Sequence, residues 1–220
     1  ESPSADLPPS VESAIHARLG RLSRGAKDLA QAMSLLGEQV ELDLLGQVVA
    51  VEPDELAHQL AELERFAFVH PRRGSRTRLR HHILAEACAN TIPRQRRISL
   101  HRAALGALDS GPQDLPGRRL RLATHAEGAG DDPLALTHLL AAAAEARGTS
   151  AAASLNLIFD RAVAVIERLG EPAAKTYVDF VLMAFSSMLL LGEFAKMRLH
   201  LPRVMELARE QQRPDKVSSS

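Results

Sequence analysis

The chain has 220 residues, 45% of them hydrophobic, with 27 Lys+Arg balanced by 27 Asp+Glu. It can bury one large core or two small ones, and its zero formal charge removes any whole-chain electrostatic case for nucleic acid or a membrane surface. One cysteine, Cys88, rules out an internal disulfide and a cysteine-rich zinc site; it fits a reducing compartment, so a cytoplasmic location is expected. Aromatics make up only 3%, with no Trp, which favours helices packed through small and unbranched side chains. The most apolar run, VDFVLMAFSSMLLL (178–191), is too short to span a bilayer and contains Asp179, so no membrane association is expected. The opening ESPSADLPPS is Pro/Ser-rich and starts at Glu1, as expected of a piece of a longer protein.

In chain order, Ser10 is the first expected N-cap, followed by Val11, Ile15, Leu19 and Leu22 at helical spacing. Ser23 caps a second helix that points Ala26, Leu29, Ala30, Met33 and Leu36 inward and stops at Gly37. VELDLLGQVVAV reads as a short third helix capped by Asp43. EPDELAHQLAELERFAF reads as a fourth: Pro53 is in the first turn, Asp54 and Glu55 sit at the positive dipole end, and Leu56, Leu60, Leu63 and Ala67 point inward. The period then breaks. FVHPRRGSRTRLR carries a turn signal at Arg73-Gly74-Ser75 between Phe68, Val69 and Thr77, Leu79, which reads as a β-hairpin. A helix resumes at His81 or His82, runs through Ile83, Leu84, Ala87 and Cys88, and ends before Pro93. Short helices followed by a hairpin form a winged-helix pattern.

Everything after Pro93 reads as helix. RISLHRAALGALDS presents Ile98, His101, Leu105 and Leu108; the break DSGPQDLPG follows, then a series of helices joined by Gly-containing turns. Small residues (Ala123, Ala126, Ala135, Ala143) stand where helices must approach closely, the signature of a tetratricopeptide-like array with degenerate repeats. Pro202 is expected to kink the last helix, and DKVSSS to fray. The expected architecture is mainly α: a winged-helix domain over 1–92, with one short β-hairpin, then helical hairpins over 93–220.

LPPSVESAIHARLGRLSRGAKDLAQAMSLLG, ELDLLGQVV, DELAHQLAELERFAFV, LRHHILAEA and RRISLHRAAL…LATHAEGAGD follow one another in an order that resembles a known arrangement. It is that of the segment downstream of the nucleotide-binding domain in STAND-class signalling ATPases, which include large LuxR-type and maltose-regulator-like activators and regulators fused to nucleotide cyclase domains. The resemblance covers residues 7–147 well and the rest only as a helical repeat. It implies a winged helix leading into tetratricopeptide-like repeats, an upstream domain that holds ATP or ADP, and a protein partner or small effector on the repeats. This chain has no G-x-x-x-x-G-K-[ST] loop, so no cofactor and no enzymatic activity are expected of it alone.

From Arg65 to Arg102 ten arginines face one acid, Glu86. Arg72, Arg73, Arg76 and Arg78 form a basic wing, read either as phosphate contacts to DNA or as an edge that docks on acidic protein. The preceding helix argues against DNA, because Asp54, Glu55, Glu62 and Glu64 would repel phosphates. His81 and His82 are adjacent, and on a helix they would point about 100° apart. No metal-pair partner follows except Glu86 below His82, so zinc is not expected, and no Ser-His-Asp set can be drawn. Related apoptotic and plant immune ATPases carry a Met-His-Asp motif at this place, whose histidine contacts the ADP phosphate. The resemblance puts His81 at that histidine, with Arg80 for Met and His82 for Asp, and so implies a nucleotide-phosphate contact from His81 and Arg80 when the upstream domain is present; the plainer reading of His81 is a helix-capping or partly buried histidine. His101 and His125 read as packed histidines, and Phe159, Tyr177, Phe180, Phe185 and Phe194 as core. The EGAGDD segment, with Glu127, Asp131 and Asp132, reads as an inter-helix turn.

Overall fold

The Ser23 hydroxyl accepts from the Ala26 N–H at 3.2 Å and so starts helix α1 (Arg24–Leu36) where the sequence predicts. The computed structural model describes residues 15, 17–71, 74–113, 115, 117–148, 152–170 and 174–211. In α1 all five predicted inward residues are buried, and the helix ends at Gly37, whose φ of 111° suits a residue without Cβ. Upstream, Ile15, Leu19 and Leu22 are buried as their spacing predicts, while Ser10 and Val11 lie outside the described residues.

Next comes a strand that periodicity does not reveal, β1 (Val40–Glu41), followed by α2 (Leu42–Val49). Asp43 is therefore not the cap. It sits in the first turn, where its charge favours the dipole, and the cap position belongs to Glu41, whose side chain makes no capping bond. Helix α3 (Pro53–Arg65) has Pro53 and both acids in its first turn and buries Leu56, Leu60 and Leu63. Ala67 corrects the expectation of an inward helical residue: it lies past the helix end with φ 56°. Its N–H bonds to the Glu64 carbonyl at 3.0 Å and that of Phe68 to Leu63 at 2.9 Å, a Schellman closure with alanine where glycine is usual.

The expected hairpin is present in reduced form. Val69 and Leu79 form an antiparallel bridge, with Arg80 N–H donating to Phe68 O at 2.8 Å and His70 N–H to Arg78 O at 3.2 Å. Beyond it, β2 (Arg76–Thr77) pairs antiparallel with β1, Val40 opposite Thr77 and Glu41 opposite Arg76. Helix α4 (His82–Asn90) packs on α1, and α5 (Arg94–Ser110) packs on α2 and α1.

The chain divides into two compact units, Glu1–Gln113 and Asp114–Ser220. Against the expected division at 92/93, α5 stays with the first unit. Its buried face is Leu100, His101, Ala104 and Leu108, while Ile98 and Leu105 are only half-buried, so the inward stripe is rotated from the predicted one. The second unit consists of α6 (Arg118–Ala129), α7 (Asp132–Gly148), α8 (Ala152–Leu169), α9 (Ala174–Leu191) and α10 (Phe194–Gln211), each packed on its chain neighbour. Ala123, Ala126, Ala135 and Ala143 are fully buried, as close helix approach requires. Phe159 and Phe180 stack at 5.5 Å in the core, and α10 runs through Pro202 as one helix. Phe194 departs from the core reading, being 56% exposed at the start of α10. No helix among the described residues is long and apolar enough to cross a membrane.

Candidate functional site

The histidine pair sits where the strand segment gives way to α4. His81 is extended, φ −141° and ψ 143°, and occupies the N-cap position without a capping bond from its side chain. Its carbonyl accepts from Leu84 N–H at 3.0 Å and Ala85 N–H at 3.3 Å, which fixes the backbone while the imidazole stays exposed. Because His81 precedes the helix, the 100° separation expected of two helical neighbours does not apply. Both histidines line one hollow of about 360 Å³ together with Ser34, Gly37, Glu38, Arg78 and Arg80. Sequence reasoning missed Ser34, Gly37 and Glu38, which reach the hollow through the packing of α1 on α4. Glu86 makes no ion pair with His82, and no cluster of three metal-ligating side chains occurs among the described residues.

The far end of α4 is tied down by polar contacts. Gln31 Nε2 donates to Thr91 Oγ1 at 2.9 Å, Thr91 Oγ1 donates to Cys88 O at 2.7 Å, and Arg97 Nη2 donates to Ala89 O at 2.7 Å. A guanidinium on a carbonyl in the last turn is favourable for the dipole as well as for the bond. Burial pushes the Cys88 thiol up to about 12, so it is a packing residue with negligible thiolate.

Along 76–80 the side chains alternate. Arg76, Arg78 and Arg80 are exposed, Thr77 is buried and Leu79 half-buried, so the arginines share one face at roughly 6.6 Å intervals. Arg76 has a weak restraint, Nη2 lying 3.8 Å from Glu41 Oε1 with the arginine side chain 58% exposed. Arg72 and Arg73 of the predicted wing lie outside the described residues.

The four carboxylates of α3 are not four free charges. Glu62 Oε1 accepts from Ser23 N–H at 2.7 Å and Glu62 Oε2 from Ser23 Oγ at 2.6 Å, which holds its carboxyl below the ordinary range and ties α3 to the start of α1. Glu55 takes the Gln59 amide at 2.6 Å. Asp54 and Glu55 nevertheless remain exposed, so the helix keeps an acidic outer end. Two further ties close this unit: Arg18 Nη2 donates to Phe66 O at 2.8 Å, with its guanidinium 5.1 Å over the Phe68 ring.

In the second unit the predicted turn is confirmed in detail. Gly130 takes a left-handed φ of 76°, and Asp131 Oδ1 accepts from Leu134 N–H at 3.1 Å. Glu127 pairs with Arg161 at 2.9 Å, and Asp132 with Arg168 at 2.7 Å, the latter lowering the Asp132 carboxyl. Lys196 bonds Asp160 at 2.6 Å. These partners lie 34, 36 and 36 residues apart, close to the tetratricopeptide period. The repeat, degenerate in sequence, is written in its cross-helix ties. His101 and His125 are buried, as packed histidines are.

Fold and connectivity thus describe a mainly α chain ending in an array of helical hairpins. No family model matches it, and no curated protein does. Among solved structures it is similar to a signal transduction ATPase with numerous domains (STAND) protein with a tetratricopeptide repeat sensor from Pyrococcus horikoshii. The TM-score is 0.59 at 13% identity, over 90% of this chain. The chain spans 27% of that protein's length, so the likeness is one of fold over about a quarter of it.

Proposed function

We propose that the chain is a non-catalytic regulatory and interaction module of a multidomain signalling ATPase or transcriptional regulator, of STAND class and LuxR-type in kind. In this reading Glu1–Gln113 is a winged-helix adaptor: a helix, a short strand, two helices and a strand pair lead into α4. It receives a nucleotide phosphate from an upstream ATPase domain, and the helical array binds a protein partner or small effector. The chain performs no covalent step itself.

The observation that carries the proposal is the His81 hollow. An imidazole with no other hydrogen-bond duty stands at the start of a helix, beside Arg78 and Arg80, where the dipole and the donors favour a phosphate oxygen. The fold-level likeness to a STAND protein supports the same reading. On the array, exposed Leu157, Leu182, Leu189, Phe194, Leu199 and Leu201 offer apolar area for a partner. Differential contact of His81 with the bound nucleotide would bias the adaptor between two arrangements, and ATP or ADP would belong to the upstream domain.

The test joins the chain to its nucleotide-binding domain and changes His81 to Ala. ADP release is expected to accelerate at least about tenfold, the loss of one charge-assisted bond; an unchanged release rate rejects the proposal. DNA binding through the arginine wing is the second reading, favoured by the Arg76, Arg78, Arg80 face and opposed by exposed Asp54 and Glu55. Titration of duplex DNA at two salt concentrations decides it, since phosphate contacts require a steep salt slope.

A further inference from the structure

We infer that a second anion site, apart from the one proposed at His81, lies in the hollow of about 450 Å³ lined by Gln39, His70, Pro71, Arg76, Thr77 and Arg78, and that it takes a small phosphate-class polyanion. The two hollows share Arg78 and differ in every other lining residue.

Four observations support the site. Among the described residues its lining has two guanidiniums, an imidazole and a carboxamide but no carboxylate. Glu41 holds Arg76 only at 3.8 Å, Glu38 lines the neighbouring hollow with Arg78, and the side chains of His70 and Arg78 have no partner among the described residues. The frame is fixed by backbone: β1 pairs with β2, so Arg76 stands on a paired strand, and His70 N–H bonds Arg78 O. Thr77 is 5% exposed, and its hydroxyl has no hydrogen-bond partner. A buried hydroxyl left unpaired costs stability, and it is found here in a wall of the hollow whose other described polar side chains are guanidinium, imidazole and carboxamide groups.

Size and chemistry narrow the ligand. A volume of about 450 Å³ is in the range of small-molecule sites and exceeds one inorganic phosphate, which points to a phosphate ester or polyphosphate. Arg76 and Arg78, about two strand residues or 6.6 Å apart along the backbone, can bracket neighbouring phosphoryl groups. Nucleic acid fits less well: among its described residues the hollow offers no aromatic platform besides His70, and the same unit exposes Asp54 and Glu55, which would repel duplex DNA.

The test uses the chain alone with pyrophosphate as probe, by calorimetric titration at low and at physiological salt. Saturable binding is expected, weaker at the higher salt. Arg76→Gln combined with His70→Gln is expected to weaken it at least about tenfold, since a guanidinium and an imidazole donor are lost. His70→Gln alone provides a milder variant should the pair affect folding, with a smaller loss in the same direction. His81→Ala is expected to bind pyrophosphate as the parent does, which separates this site from the nucleotide contact proposed above. Absence of saturable binding, binding untouched by both Arg76 and His70 variants, or an equal loss in His81→Ala would each overturn the proposal. So would binding of a short DNA duplex by a chain that ignores pyrophosphate.

Discussion

The two units keep their folds by different means. Glu1–Gln113 is closed by polar ties between residues distant in sequence: Arg18 to Phe66, Ser23 to Glu62, Gln31 to Thr91, and Leu42 N–H to Ser75 O. Asp114–Ser220 is built from neighbours, with small residues between helices and ion pairs recurring one repeat apart. All the large hydrophobics exposed among the described residues, Leu157 to Met205, belong to the second unit. The first unit instead exposes arginines and histidines: Arg76, Arg78, Arg80, His81 and His82. A module that reads a phosphate and a module that holds a partner would be expected to divide their surfaces in this way.

The largest test of the contrast is in the array core. Phe159 is fully buried, stacked on Phe180 and edge-on to His200 at 5.1 Å. Phe159→Ala is expected to cost about 3–5 kcal/mol in denaturant unfolding, a transfer term plus a cavity. A loss under 1 kcal/mol, on the order of a surface substitution, would mean that the array is not closely packed there.

Next in size is the polar closure of the first unit. Glu62→Gln should cost about 1 kcal/mol, because it weakens two bonds that cap α1. The Glu62 carboxyl titrates below its ordinary 4.5, so its contribution is present above that value and lost as pH falls through the folded one. Parent and Glu62→Gln should therefore converge in stability under acid; a constant gap from pH 7 to pH 3 would show that the tie is not ionic. A substitution of opposite sign follows at Ala67. With φ 56°, Ala67→Gly removes left-handed strain and should raise the melting free energy by about 1 kcal/mol or somewhat less. Destabilisation would place the residue in another conformation.

The smallest effect is a slope. Burial, and then Arg97, lowers His101 in the first unit, and burial lowers His200 in the second. Each folded imidazole protonates less readily than the unfolded one, whose ordinary value is 6.5. Stability from these groups is thus complete above 6.5 and declines as pH drops below it. His101→Gln is expected to flatten that decline between pH 6.5 and 5 in thermal melts, and an unaltered slope would assign the proton uptake elsewhere.

Much of this was legible in the residues. Ser23, Gly37, Pro53 and the buried alanines act through local chemistry that a sequence displays. The strand Val40–Glu41 was not legible, because two residues carry no period, and their partners Thr77 and Arg76 lie 37 and 35 positions on. Helix α5 looked like the start of the array because Pro93 is a strong punctuation mark; tertiary packing on α1 and α2 decided otherwise. Of the residues lining the candidate hollow, the family resemblance points to His81 and Arg80, whereas Ser34, Gly37 and Glu38 come from packing alone. The Thr77 hydroxyl is visible only as a missing hydrogen bond.

The most direct test of the central claim is nitrogen NMR of the His81 imidazole in the chain joined to its nucleotide-binding domain, with and without ADP. A phosphate contact predicts a marked displacement of the His81 ring signals on ADP addition, while those of buried His101 and His125 stay in place. An His81 resonance indifferent to ADP would contradict the account.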